Sequence, residues 1–237
     1  MALRVLVIVP TLNERENLTS LAEAIFAQLP DANLLVVDDH SPDGTGVLAD
    51  EMAARDPRVA VIHRPGRLGI GSAYVRGFEH ALAHGYDAVV TMDADWSHDP
   101  AYLPALVGAV DHFDLVVGSR YLNGISVINW TLARLILSTG ANAYVRAITG
   151  IPLRDCTSGF QCIRRTALER INPSSIRTNG YSFLVEVKYR IHRQGLSLAE
   201  VPIVFTQRRH GRTKMTRGEI FASFLNVWKL RLGLYRR

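Results

Sequence analysis

The stretch YDAVVTMDADWSHDP, residues 86–100, decides how the chain is read. Tyr86 to Met92 is almost unbroken apolar sequence, the pattern of a strand covered on both faces. Asp93 and Asp95 then follow with one alanine between them. Residues i and i+2 of an extended chain share a face. The spacing therefore predicts two carboxylates side by side at the end of a buried strand. Such a pair is costly unpaired, and a divalent cation resolves the repulsion.

Working outward, the same strand-then-polar pattern recurs. RVLVIVP (4–10), NLLVVDD (33–39), RVAVIHR (58–64) and FDLVVGS (113–119) read as further strands. Between them lie helical patterns: ENLTSLAEAIFAQL (16–29), with Leu18, Leu21, Ile25 and Leu29 on one face, then VLADEMAARD, a segment from about Ser72 to His84, and DPAYLPALVGAV. Repeated β–α units with short connections predict an α/β fold, a mainly parallel central sheet with helices on both faces. Ligands of such sheets bind at the carboxyl ends of the strands. Glu14 follows the first strand, Asp38 and Asp39 end the second, and Asp93 and Asp95 end the one at 86–92. One acid there reads as a helix cap, as for Asp43; acids at three strand ends predict a polar cleft.

The second half is less regular. INWTLARLILSTGANAYVRAITGI (128–151) is largely helical and LSLAEVPIVFTQ (196–207) reads as a strand. IFASFLNVWKLRLGLY (220–235) places Phe221, Phe224, Leu225, Trp228, Leu232 and Tyr235 on one helical face, with Lys229 and Arg236 off it. Neither helical segment offers the roughly 20 charge-free apolar residues of a membrane span. Both fit a membrane interface or packing on the domain.

Charge is divided unevenly along the 237 residues. Residues 1–120 carry 8 Lys+Arg against 17 Asp+Glu; residues 121–237 carry 19 against 5. An acidic half suits a metal, and a basic half suits phosphates or an anionic membrane. Nucleic-acid binding by the basic half leaves the acids at three strand ends without a purpose. Two cysteines, Cys156 and Cys162, read as free thiols of a reducing compartment. The apolar run near the N-terminus is too short for a signal peptide, which predicts an intracellular protein.

Familiar motifs are excluded in turn. Gly69 and Gly71 begin a G-x-G-x-x-G, but Tyr74 stands where its third glycine belongs. The chain has no phosphate-binding G-x-x-x-x-G-K-[ST], no G-x-S-x-G elbow and no paired-cysteine zinc spacing. His98 reads equally as a metal ligand or a structural hydrogen-bonding residue.

Six motifs, VIVPTLNE, VVDDHSPDGT, MDADWSH, VGSRY, DCTSGFQ and FTQRRHGRTKM, occur in an order that resembles the polyprenyl-phosphate (dolichol-phosphate) mannose synthases of glycosyltransferase family 2, over residues 4–216. The resemblance implies a GT-A catalytic domain at 1–216 and an amphipathic helix at 217–237. Within the domain, residues 1–120 would serve the nucleotide-sugar and metal, and 121–216 the acceptor. Pro10, Leu12, Glu14, Val37 and Asp39 are implied to hold the donor nucleoside. Asp93, Ala94 and Asp95 match the DxD segment, where Asp93 and Asp95 hold Mg²⁺ or Mn²⁺ against the donor diphosphate. Arg120, Arg134 and Ser138 match acceptor-phosphate positions, while Arg208 and Lys214 fall in a loop that closes over the donor. Asp95, Arg120, Arg134, Arg208 and Lys214 are thus the implied catalytic set. The pattern is broken at Ser97, where some members carry a metal-binding glutamine, and at His210, where the loop is usually hydrophobic.

The implied reaction moves mannose from GDP-mannose to the phosphate of a polyprenyl phosphate, with inversion. A phosphate monoester is already anionic at pH 7 (second pKa ≈ 6) and needs no general base. UDP-glucose is the alternative donor. A binding protein for nucleotide sugars that does not turn them over is the alternative of another class, and the Arg208–Lys214 loop separates it from an enzyme. The expected location is peripheral, on the cytoplasmic face of a membrane, with or without a membrane protein partner.

Overall fold

The computed structural model describes residues 3–206 and 217–234. Its centre is a seven-stranded sheet made of β1 (Val5–Thr11), β2 (Asn33–Asp38), β3 (Val59–His63), β4 (Ala88–Thr91), β5 (Leu115–Ser119), β6 (Gln161–Arg164) and β7 (Leu198–Pro202). Their spatial order is β3-β2-β1-β4-β6-β5-β7. All pairings are parallel except those of β6, which runs antiparallel to both β4 and β5. The expected mainly parallel α/β sheet is what forms.

Alternation along the strands sends side chains to two separate cores. Val5, Val7 and Val9 of β1 join α1 (Arg15–Gln28), α2 (Thr45–Arg55) and α4 (Leu103–Ala109) on one face. Leu6 and Ile8 join the opposite core with α3 (Ile70–Ala83), α5 (Leu132–Thr149), α6 (Arg165–Ile171), α7 (Tyr181–Arg193) and α8 (Arg217–Arg231). Both faces being covered explains why these strands read as continuous apolar runs. Tyr74 and Phe78 of α3 stack on Phe183 of α7, with centroids 5.8 and 6.1 Å from its ring. Gly77 lets α3 close on β1: a Cβ there would lie 2.6 Å from Ile8 Cδ1.

Three expectations need correction. β4 stops at Thr91, and the chain turns over Ala94–His98, with Trp96 at φ 63°. Asp93 and Asp95 are therefore presented by a turn rather than by an extended strand. The apolar set expected on one face of the C-terminal helix divides in two. Phe224 packs edge-on against Tyr144 of α5 at 4.6 Å and Val227 and Leu230 are buried, whereas Leu225, Trp228 and Leu232 stand exposed. The stripe at 224, 227 and 230 meets the protein, and the stripe at 225, 228 and 232 faces away. The side chain of Phe221 and all of Tyr235 lie outside the described residues. The strand expected at 196–207 is confined to Leu198–Pro202.

β1 lies at the switch point of the sheet: the chain passes from it to β2 and β3 on one side, then returns to β4 on the other. The crevice beyond the carboxyl ends of β1 and β4 is where such a fold places a ligand.

Candidate active site

A cleft of about 710 Å³ opens at that crevice. Its wall includes Pro10, Leu12 and Glu14 after β1, Asp39 after β2, and Asp93, Ala94 and Asp95 after β4. Arg120 after β5 and Arg134 and Ser138 of α5 line the same cavity. Ten expected site residues thus share one continuous space. Val37 does not: it is fully buried in β2, packed into the core with α3, because its side chain points sideways into a covered face of the sheet. Arg208, His210 and Lys214 lie outside the described residues.

At one end the acids are organised individually. Asp39 is buried and ion-paired to Arg64, and its other oxygen accepts the Gly69 N–H at 2.9 Å. Arg64 also donates to the Gly69 carbonyl at 3.0 Å and to Ser72 Oγ at 2.5 Å. The arginine thereby ties the turn before α3 to the end of β2. Asp38 has a different task. It accepts Thr11 Oγ1 at 2.9 Å and the Ser41 N–H at 3.0 Å, which fixes the β2–α2 turn. Asp43 accepts the Thr45 N–H at 2.9 Å just before α2, but Gly44 rather than Asp43 holds the N-cap position the sequence suggested for it. Glu14 accepts Asn17 Nδ2 at 2.9 Å.

Around the aspartate pair, Asp95 Oδ1 accepts the Ser97 N–H at 3.1 Å, which shapes the turn. Tyr74 OH donates to Asp93 Oδ1 at 3.3 Å; burial first, and the Asp93 charge second, push the phenol well above its ordinary pKa. His98 is buried and stacked on Phe160 at 4.9 Å, and its Nδ1 accepts the Asp93 N–H at 3.0 Å. Burial lowers its pKa against the pull of Asp93 and Asp95. That hydrogen bond matches one of its two sequence readings. Ser97 Oγ is buried without a hydrogen-bond partner.

The far end is cationic. Arg120 forms a bidentate pair with Asp155, both bonds 2.7 Å, and donates to Thr157 Oγ1 at 2.8 Å. Burial raises the Asp155 pKa, but the Arg120 charge and hydrogen bonds outweigh it and hold the carboxyl below its usual range. Asp155 therefore orients an arginine and is no base. The Arg120 guanidinium sits 5.4 to 5.5 Å from the rings of Tyr121, Trp130 and Phe205, and Arg134 lies 4.1 Å over Trp130. Ser138 Oγ accepts Tyr121 OH at 2.8 Å, one turn along α5 from Arg134. The cleft is also lined by Ala141, Tyr144 and Val145 of α5, Val185 of α7, and Phe224 and Val227 of α8, together with the polar Ser182, Ser223 and Asn226.

Several contributors escape sequence reasoning. Trp130 and Phe205 act only through folding, and Thr157 to Gly159 line the cleft through a motif whose members the sequence does not rank. Both cysteines are free and buried, and burial pushes each thiol up to about 12, which removes them from chemistry at neutral pH.

The chain is 46% identical to the polyprenol monophosphomannose synthase of Mycolicibacterium smegmatis, across 98% of this chain and 89% of that protein. It is 43% identical to the undecaprenyl-phosphate mannosyltransferase of Micrococcus luteus, across 99% and 96%. Among solved structures, glucosyl-3-phosphoglycerate synthase from Mycobacterium tuberculosis, crystallised with Mn²⁺ and UDP-glucose, superposes with a TM-score of 0.67. It shares 23% identity, with 98% of this chain and 80% of that chain covered, a likeness of fold. Residues 6–171, from β1 through β4 and Asp95 to the end of α6, match the family described as glycosyl transferase family 2, and the chain belongs to that family.

Proposed function

We propose that the protein transfers mannose from GDP-mannose to the phosphate of a polyprenyl phosphate, with inversion at the anomeric carbon. One observation carries the reading: a single cleft is lined by the carboxylates after β1, β2 and β4, by Arg120 and Arg134, and by apolar side chains of α5, α7 and α8. Those surfaces suit a nucleotide-sugar, a phosphate and an isoprenoid chain. The kinship with two mannosyltransferases named for prenyl phosphates supports the same reading.

Pro10, Leu12, Glu14 and Asp39 would hold the nucleoside, the carboxylates accepting base N–H groups. Asp93 and Asp95 fit a hard divalent ion, Mg²⁺ or Mn²⁺, together with the unengaged Ser97 hydroxyl. No group of three His, Cys, Asp or Glu suited to a metal occurs among the described residues, so donor phosphates and water would complete its shell. When bound, the ion neutralises charge on the departing diphosphate. Arg120, Arg134 and Ser138 would fix the acceptor phosphate, and Arg208 and Lys214 would add cations over the donor. An acceptor oxygen forms the new bond to the anomeric carbon as the bond to the diphosphate breaks, the electron pair leaving with GDP. The nucleophile is already an anion, so no residue need take a proton. The protein's work is alignment and suppression of repulsion between two anions.

The membrane reading rests on two helices. Leu132 (71% exposed) and Ile136 (62%) on α5 and Leu232 (66%), beyond α8, leave large apolar side chains uncovered, with exposed Lys229 and Arg231 nearby. No helix among the described residues is long and apolar enough to cross a bilayer. Peripheral contact through apolar side chains and cations suits that surface.

The test incubates the purified protein with Mn²⁺, a polyprenyl phosphate and either GDP-mannose or UDP-glucose, with glycolipid read by mass spectrometry. Product from GDP-mannose alone, reduced at least a hundredfold in Asp95→Ala, is the expected result. Product from UDP-glucose alone would replace the sugar. Nucleotide binding without product in the presence of membranes would leave a binding protein.

A further inference from the structure

Lys188 is buried and has no place in the chemistry above. It sits mid-helix in α7, where its Nζ donates to the Ser158 carbonyl at 2.8 Å and to the Leu184 carbonyl at 3.3 Å. Ser158 belongs to the loop Asp155–Gly159, whose last three residues line the cleft beside Arg120. That loop is tied down on every side. Asp155 takes Arg120, Glu200 accepts the Arg154 and Asp155 N–H groups at 2.8 and 2.9 Å, and Asn142 accepts the Cys156 N–H at 2.7 Å. Thr91 Oγ1 donates to the Gly159 carbonyl at 2.5 Å.

Among these anchors Lys188 alone is an amine without a carboxylate in salt-bridge contact. Asp155 is committed to Arg120, and Glu200 to backbone N–H groups. The titratable groups facing it are Cys156 and Asp155 from the loop, Arg120 from the end of β5 and Glu200 from β7. We infer that Lys188 is a positioning residue that takes up a proton when an anion enters the phosphate end of the cleft, so that its charge beneath the loop is completed by the ligand. The inference rests on the phosphate-binding reading of that end.

Burial lowers the Lys188 pKa to about 8, helped by the Arg120 charge, while Cys156, Asp155 and Glu200 partly offset it. A protein poised there holds the amine close to half-charged in mildly alkaline solution. A dianionic phosphate near Arg120 and Thr157 adds negative potential through a low-dielectric wall, which favours the ammonium. A permanently paired lysine would lack this response, and a permanently charged one would carry the full burial cost in the empty protein.

Calorimetric titration of citronellyl phosphate, a soluble prenyl monophosphate, at pH 8 in two buffers of different ionisation enthalpy reads the proton directly. The wild type is expected to take up about half a proton per ligand, and less at pH 7 where the amine is mostly charged already. Lys188→Met keeps the volume and is expected to take up none. Its kcat/KM for mannosyl transfer should fall about tenfold at pH 7, the scale of outer partners of a site, and the alkaline decline of the wild-type profile above pH 8 should flatten. Equal uptake in both proteins, or none in the wild type, overturns the inference. Should Lys188→Met fail to fold, the wild-type uptake between pH 7 and pH 8 still decides. Transfer without proton-linked binding defeats this inference alone. Proton-linked binding without transfer defeats the enzyme reading alone, and absence of binding defeats both.

Discussion

Two buried aspartate–arginine pairs flank one cleft, and they are wired in opposite senses. At the nucleoside end Asp39 lines the cavity and Arg64 stands behind it. At the phosphate end Arg120 lines the cavity and Asp155 is hidden. In each pair one member lines the cavity, and on the proposed function it is the group that meets the ligand while the other fixes its direction. Buried ion pairs seldom add net stability, since desolvation offsets the attraction. Their use here is to hold a charge of chosen sign at a chosen place in a dry wall, with little net charge in the empty protein.

The comparison breaks most visibly if the hidden partner is removed where burial is deepest. Asp155→Ala removes the carboxylate that holds Arg120 bidentately, and breaking a buried ion pair costs about 3–5 kcal/mol. A large fall in the denaturation midpoint with loss of transfer is the expected outcome, read by chemical unfolding and activity. The acid limb sharpens the same point. Because Asp155 is held below its usual range, its contribution is fully present above the unfolded carboxyl value of about 3.9 and is lost as pH falls through the folded value. Wild-type stability should thus be insensitive to this pair from pH 5 to 8 and decline below about pH 4, a decline that Asp155→Asn should blunt.

Arg64→Met should cost less, about 1–3 kcal/mol, although it too breaks a buried ion pair. Asp39 keeps the Gly69 N–H and faces the cleft, where water can solvate it. The larger consequence falls on binding, because Arg64 also ties the turn before α3 to Asp39. GDP affinity measured by calorimetry should weaken about tenfold, as for outer partners of a site. An unchanged affinity would mean that Asp39 needs no partner to be aimed.

How far the sequence foretells this differs between the ends. β1 to β4 are readable because a sheet covered on both faces turns strands into apolar runs, and the acids after them mark the strand ends. Nothing local couples Asp39 to Arg64 or Asp155 to Arg120, since those partners meet only through sheet order. α7 is harder still. Phe183, Val185, Val187, Tyr189 and Ile191 alternate with other residues as a strand would, yet they form a helix buried on nearly every side, Glu186 and Lys188 included. β6 is only four residues long and antiparallel within a parallel sheet, so no repeat announces it. The extended geometry expected at Asp93–Asp95 gives way to a turn because Trp96 adopts positive φ, a choice fixed by the surroundings rather than by residue type.

The smallest effect concerns what else surrounds a working charge. Asp39 is held by a full opposite charge, whereas Arg120 and Arg134 also lie against aromatic rings, with Trp130 common to both. A ring attracts a cation through its quadrupole without cancelling the charge, so more of the field reaches a ligand than behind a carboxylate. Arg134 is half-buried at the first turn of α5 and lies 4.1 Å over the indole. Trp130→Phe keeps a ring but weakens the quadrupole, a change of about 0.5–1 kcal/mol. Citronellyl phosphate binding should therefore fall about two- to fivefold, with GDP binding unchanged. If both ligands weaken alike, the ring is packing that holds the cleft open. If only the phosphate ester does, the two ends differ in how their charges are held as well as in sign.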